Sequence, residues 1–144
     1  MPEEYFYFVG DLRNFSKNQV DEFLSQFEDL FNGEILGGKK FIRDLSKGNQ
    51  KKVGIIAALI GDPKVVILDE PFANLDPTTQ IRLKKIIKNL SQQKDVTVLV
   101  SSHDLQDVTE VSERIVLLEK GLIIKDIKKT QKTLKDLETY FNKE

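Results

Sequence analysis

Apolar positions recur at helical spacing through the first third of the chain and gather into short unbroken runs further on. Val20, Phe23, Leu24, Phe27, Leu30 and Phe31 follow i, i+3, i+4, i+7, so the spacing predicts one amphipathic helix. Ser16 and Gln19 form a capping-box pattern at its start, and Asn32-Gly33 ends it. Ahead of it Pro2-Glu3-Glu4 opens a helix, with acids facing the dipole, that Tyr5, Phe6, Phe8, Val9 and Leu12 continue. Ser46 stands at the mouth of a third helix, whose apolar part runs from Val53 to Ile60 and stops at Gly61-Asp62-Pro63. Asp76 as N-cap and Pro77 as first helical residue open a fourth. Its pattern puts Leu83, Ile86, Ile87 and Leu90 inside and Arg82, Lys84, Lys85 and Lys88 outside.

The unbroken runs are Val65-Val66-Ile67-Leu68 and Val96-Thr97-Val98-Leu99-Val100. Runs this short and this rich in β-branched residues read as strands buried on both faces, as in a parallel sheet. Leu105, Val108 and Val111 make a short helix. Arg114–Leu118, Lys120-Gly121 and Leu122–Ile124 read as a β-hairpin. Thr133–Phe141 is a closing helix with Leu134, Leu137 and Phe141 inside.

The chemistry sits where the apolar runs end. Val65–Leu68 leads into Asp69 and Glu70, at the strand end where open α/β sheets bind ligands, and Pro71 stops the strand. Val96–Val100 leads into Ser101-Ser102-His103-Asp104, and His103 is the only histidine. If the two strands are parallel, His103 lies on the same sheet edge as Asp69 and Glu70. The competing reading is a core strand ending in two solvated acids. At Ser46-Lys47-Gly48, the unpaired N–H groups of a helix mouth make an anion site, beside the plainer reading of an ordinary N-cap.

Composition narrows the classes. The 144 residues are 40% hydrophobic and 31% charged, which suits one globular domain. A net charge of −1 gives no global field for nucleic acid, and the lysines after Pro77 have no interleaved aromatics, so they read as a solvated face. No cysteine is present, which excludes disulfides and thiolate metal sites. No apolar run reaches membrane-spanning length. Gly33-Glu34-Ile35-Leu36-Gly37-Gly38-Lys39-Lys40 matches the phosphate loop G-x-x-x-x-G-K up to its last position, where Lys40 replaces Ser or Thr. It follows a helix and leads into no helical stripe, so a flexible glycine-rich connector is the expectation.

Taken in order, Ser46-x-Gly48 on a helix mouth, Asp69-Glu70 ending a strand, Leu75-Asp76, and His103 ending another strand resemble the ATP-binding cassette (ABC) ATPases, most closely bacterial transporter subunits. The resemblance covers essentially the whole chain. It implies that Leu45, Ser46, Lys47, Gly48, Asn49 and Gln50 are the signature motif, which contacts the γ-phosphate of ATP held by the opposite subunit. It makes Asp69 the Walker B aspartate, positioning Mg²⁺ through water, and Glu70 the general base. Asn74, Leu75 and Asp76 become the D-loop at the subunit interface, and His103 the switch histidine that senses the γ-phosphate. Lys47 and Asn49 depart from the usual Leu-Ser-Gly-Gly-Gln, while the Ser and second Gly remain. Phe72 stands where a small hydroxyl residue is usual.

The resemblance implies an α/β fold: a partial P-loop NTPase (ABC ATPase) fold with a truncated parallel sheet flanked by helices, a helical subdomain and a C-terminal β-hairpin. Residues 1–62 would be the helical subdomain and 63–144 the C-terminal part of the RecA-like core, with Walker A and the Q-loop preceding the chain. The implied function is the ATP-binding and ATP-hydrolysing subunit of a transporter, with ATP and Mg²⁺ as ligands. The implied partners are a second ATPase subunit and a transmembrane permease, with a cytoplasmic, peripheral location at the inner face of the membrane. The alternatives are an ABC ATPase acting on ribosomes or DNA, and a non-catalytic fragment. No nucleic-acid partner is expected, and the isolated chain is expected to be inactive and to self-associate, through edge pairing or segment exchange. The other response to an open sheet edge would be Arg114–Leu118 moving in beside Val96–Val100.

Overall fold

The computed structural model describes residues 1–142. The chain begins with α1 (Pro2–Leu12), α2 (Lys17–Ser25) and α3 (Glu28–Phe31), then a 3-10 turn (Ile42–Asp44). It continues as α4 (Lys47–Leu59), β1 (Val65–Asp69), α5 (Pro77–Ser91), β2 (Thr97–Ser101) and α6 (Leu105–Val111). It ends in β3 (Arg114–Glu119), β4 (Leu122–Lys128) and α7 (Thr133–Phe141).

The helix starts follow the sequence closely. Ser16 accepts from the amide of Gln19, whose side chain returns to the Ser16 amide, closing the capping box at α2. Asp76 accepts from the amide of Thr79 at 3.0 Å, with Pro77 as the first helical residue of α5. The predicted single helix over Val20–Phe31 is instead two. The helix breaks at Gln26-Phe27, and Leu30 and Phe31 of the short α3 are both buried. Asn32 then ends α3 in the left-handed conformation, as expected of Asn-Gly.

One apolar cluster runs from Phe6 of α1 through Val20, Phe31, Ile56 and Ile60 to Leu83, Ile87 and Val111. Fully burying side chains of this size contributes about 1.5–3 kcal/mol each before chain entropy is counted. Of the residues expected inside α7, Leu137 is buried while Phe141 is exposed. Lys84, expected outside α5, is largely buried between Asp107 at 2.7 Å and Glu110 at 2.6 Å. Its ammonium also lies 5.7 Å from the Phe72 ring centre, so two carboxylates and an aromatic face replace its water.

β1 and β2 pair in parallel, from Val65 opposite Thr97 to Asp69 opposite Ser101, with α5 as the crossover. Their predicted burial on both faces holds on one face alone. Val66 and Leu68 are buried, while Val65, Ile67 and Leu99 are 61%, 68% and 59% exposed. The helices that pack on this sheet, α4 against β1 and α5 against β2, serve the Val66–Leu68 side. β3 and β4 form a separate antiparallel pair, joined through Lys120 and Gly121, both with positive φ, as a two-residue hairpin turn requires. Among the described residues β3 has not moved in beside β2.

Candidate functional site: the strand ends and the mouth of α4

The parallel register brings the two strand ends together. Asp69 and Ser101 are direct partners, and the Ser101 hydroxyl donates to Asp69 Oδ1. The Glu70 amide donates to the Ser101 carbonyl at 3.0 Å, which continues the ladder one residue past β1. Glu70 then turns into the left-handed region, with φ 46°. That turn aims its carboxylate at His103. Glu70 Oε1 accepts from the His103 amide at 3.1 Å and lies 2.8 Å from His103 Nδ1. The hydrogen bond and then the charge of Glu70 hold the His103 pKa above its ordinary value. The imidazole is 84% exposed and the Glu70 side chain 36%, so both face solvent beyond the sheet edge. A carboxylate held against an imidazole with its rim open to water can orient and polarise a water molecule.

A second feature lies at the mouth of α4. A cleft of about 350 Å³ is lined by Ser46, Lys47, Gly48 and Asn49 on one side and Asn74, Leu75 and Asp76 on the other, with Glu34 and Lys52 beside them. The Ser46 hydroxyl accepts from the Asn49 amide at 3.2 Å, so the helix mouth is capped. Gly48 lets the helix approach the loop after β1: a Cβ there would lie 3.3 Å from the Asn74 carbonyl oxygen. Leu45 is buried, and Gln50 donates back to the carbonyls of Leu45 and Arg43, at 2.9 and 3.2 Å, so neither lines the cleft. Asp76 is held below the usual carboxylate pKa range by its hydrogen bonds from Thr79.

Some residues at the site have no motif to announce them. Glu34 accepts from the Asn49 amide group at 2.8 Å, and this bond holds its pKa down. Lys52 is buried, with its charge favouring the ionised forms of Glu34 and Asp76. Gln80 donates to the carbonyls of Phe72 and Leu75 and fastens the loop from the α5 side. Lys52 alone carries a sequence signal, as a lysine on the inward face of an apolar helix. The Gly33–Lys40 stretch is a connector between α3 and a 3-10 turn with exposed lysines, but it is tied to the body through buried Ile35 and through the bond of Glu34 to Asn49.

For Mg²⁺ the donor set is sparse in the manner the ion tolerates. Among the described residues no three His, Cys, Asp or Glu side chains converge on one point. Magnesium is commonly held by one or two carboxylates with waters and substrate phosphates, and the exposed Asp69 at the sheet edge fits that use.

A family model described as "AAA domain, putative AbiEii toxin, Type IV TA system" matches residues 4–106. The energy-coupling factor transporter ATP-binding protein EcfA2 of Staphylococcus epidermidis is 33% identical over 109 residues, 75% of this chain and 37% of that protein. An uncharacterized ABC transporter ATP-binding protein of Bacillus subtilis, YhaQ, is 33% identical over 136 residues, 94% of this chain and 43% of that protein. The ATP-binding cassette MJ0796, solved as a dimer in a post-hydrolysis state with ADP and Pi, superposes with a TM-score of 0.66 at 25% identity, over 79% of this chain and 49% of that one. The chain spans less than half the length of each of these three proteins. Its sequence and fold are those of part of an ABC ATPase cassette, and the chain belongs to the AAA-domain family whose model it matches.

Proposed function

We propose that this chain is the C-terminal portion of the ATP-hydrolysing subunit of an ABC transporter. Residues 1–62 act as its helical subdomain and 63–144 as part of the catalytic core. The observation that carries the reading is the Glu70–His103 pair beside Asp69, at the carboxyl ends of two parallel strands. Phosphoryl transfer asks for positioning and charge neutralisation more than covalent chemistry; this edge suits the positioning, and its carboxylates would hold the cation that neutralises charge. Glu70 takes the role of general base, drawing a proton from the attacking water. His103 orients Glu70 and offers a ring N–H toward the terminal phosphate. Asp69 would hold Mg²⁺, which when bound would neutralise charge on the phosphate oxygens. Ser46, Gly48 and Asn49 receive the phosphate of ATP held by a second ATPase subunit, and Asn74, Leu75 and Asp76 meet that subunit. Leu45 and Gln50 shape the motif from behind.

A permease partner at the inner face of the membrane belongs to the same proposal, and the relatives named as transporter ATP-binding proteins support it. Among the described residues no helix is long and apolar enough to cross a membrane. The test is turnover of MgATP by the chain joined to a Walker A-bearing N-terminal half. Glu70→Gln should abolish release of phosphate, by about 10²-fold or more, while ATP stays bound in a trapped dimer. Wild-type turnover in that variant would sink the assignment.

A further inference from the structure

We propose that Lys51 is a positioning residue that holds the turn presenting the Glu70 carboxylate. The proposal rests on the reading of Glu70 given above. Lys51 lies one helical turn after Lys47 on α4, the helix whose mouth lines the cleft. Its ammonium donates to the Glu70 carbonyl at 2.7 Å and to the Ala73 carbonyl at 2.8 Å. The Glu70 carbonyl also accepts from the Ala73 amide at 3.3 Å, which closes the turn. Two residues of this segment, Glu70 at φ 46° and Asn74 at φ 63°, adopt the left-handed conformation without being glycine. That conformation is uphill for a residue with a Cβ, and it persists where surrounding contacts over-determine it.

Lys51 supplies that determination. The Glu70 backbone is pinned at both ends, its amide on the Ser101 carbonyl of β2 and its carbonyl on α4. The carboxylate projects from between these two anchors, so its line to His103 depends on both. A lysine suits the task because its three donors rotate freely and can serve two diverging carbonyls. Both hydrogen bonds of the Lys51 ammonium go to backbone oxygens, so it acts through Glu70 and contributes no chemistry of its own.

Two variants separate this from simple packing. Lys51→Met keeps the apolar stem and removes every donor; Lys51→Arg keeps charge and donors. In the chain as it stands, Lys51→Met should speed amide exchange at Ala73 about tenfold and leave the amides of β1 and the body of α4 unchanged, whereas Lys51→Arg should stay near wild type. In the chain joined to its Walker A-bearing half, Lys51→Met should lower kcat by roughly 10–100-fold with KM for ATP nearly constant, and Lys51→Arg should restore most of it. In a Glu70→Gln background the same change should cost almost nothing further, because the group being positioned is already gone. Unchanged exchange at Ala73, a raised KM with normal kcat, or an undiminished loss in the Glu70→Gln background would each overturn the proposal. Should Lys51→Met not fold, Lys51→Leu, which also lacks donors, serves in its place. If the wild-type assembly shows no Glu70-dependent turnover, the reading of Glu70 fails, and exchange at Ala73 still decides whether Lys51 holds the turn.

Discussion

Glu70 and His103 meet through one oxygen: both the amide and the ring nitrogen of His103 lie on Oε1. Glu70 stabilises the imidazolium, so the folded-state pKa of His103 sits above its unfolded value. The stabilisation is therefore fully present below the unfolded pKa, about 6.5, and is lost as pH rises through the higher folded value. Because His103 is the only histidine, its ring titrates alone in a proton NMR spectrum. Glu70→Gln should lower that pKa toward the ordinary value. The thermal midpoints of wild type and variant should converge as pH climbs above about 6.5. An unchanged His103 titration in Glu70→Gln would count against the pair. Sequence carried most of this: two acids ending one strand and a lone histidine ending another needed only a parallel register to meet. What it did not carry is the left-handed turn at Glu70, since nothing in Glu-Pro-Phe signals a positive φ.

Between elements, close approach is the theme. A Cβ at Gly10 of α1 would fall 2.4 Å from Val20 Cγ2, and Val20 is fully buried on α2. Helix propensity favours alanine there by about 1 kcal/mol, but forcing apart a packed helix pair costs about 1–3 kcal/mol. Gly10→Ala should therefore lower the denaturation midpoint, and Val20→Ala in the same chain should recover part of the loss. A gain in stability from Gly10→Ala alone would show that α1 and α2 separate freely. Lys84 gives a second test. Lys84→Ala strands Asp107 and Glu110 without their cation, whereas Lys85 is exposed on the same helix. Thermal unfolding should separate the two substitutions, with Lys84→Ala clearly the less stable; equal midpoints would make the ion cluster ornamental. Caps and the Lys120-Gly121 turn were legible because each is fixed by residues a few positions apart. The break in α2–α3, the inward Lys84 and the reach of Lys51 to Glu70 were not. Each depends on a partner many residues away, and a single sequence carries no local mark of such a meeting.

At the scale of the whole molecule the sheet is covered on one side. Val65, Ile67 and Leu99 form an apolar face open to solvent, next to the free edge of a two-stranded sheet. The chain matches less than half of each relative's length. Alone, the chain has a second copy of itself as the available cover. It should sediment as a dimer at micromolar concentration, and Ile67→Lys should return it to a monomer. A wild-type monomer across the whole dilution range would rule this out. Isolated, the chain should also leave MgATP intact, because the Gly33–Lys40 connector offers no cradle of backbone donors; turnover lost on Lys39→Ala would reverse that conclusion.

The five-by-five pairing of Val65–Asp69 with Thr97–Ser101 acts as a ruler. Each strand spends the same number of residues between its start and the edge where Glu70 and His103 meet. One residue inserted into either strand would carry its acid or its imidazole about 3.3 Å along the sheet and swing it to the opposite side. The same residue inserted between Gln93 and Asp95, before β2 begins, would leave the ruler intact. The chain can therefore absorb changes of length in the approach to β2, and none within either strand.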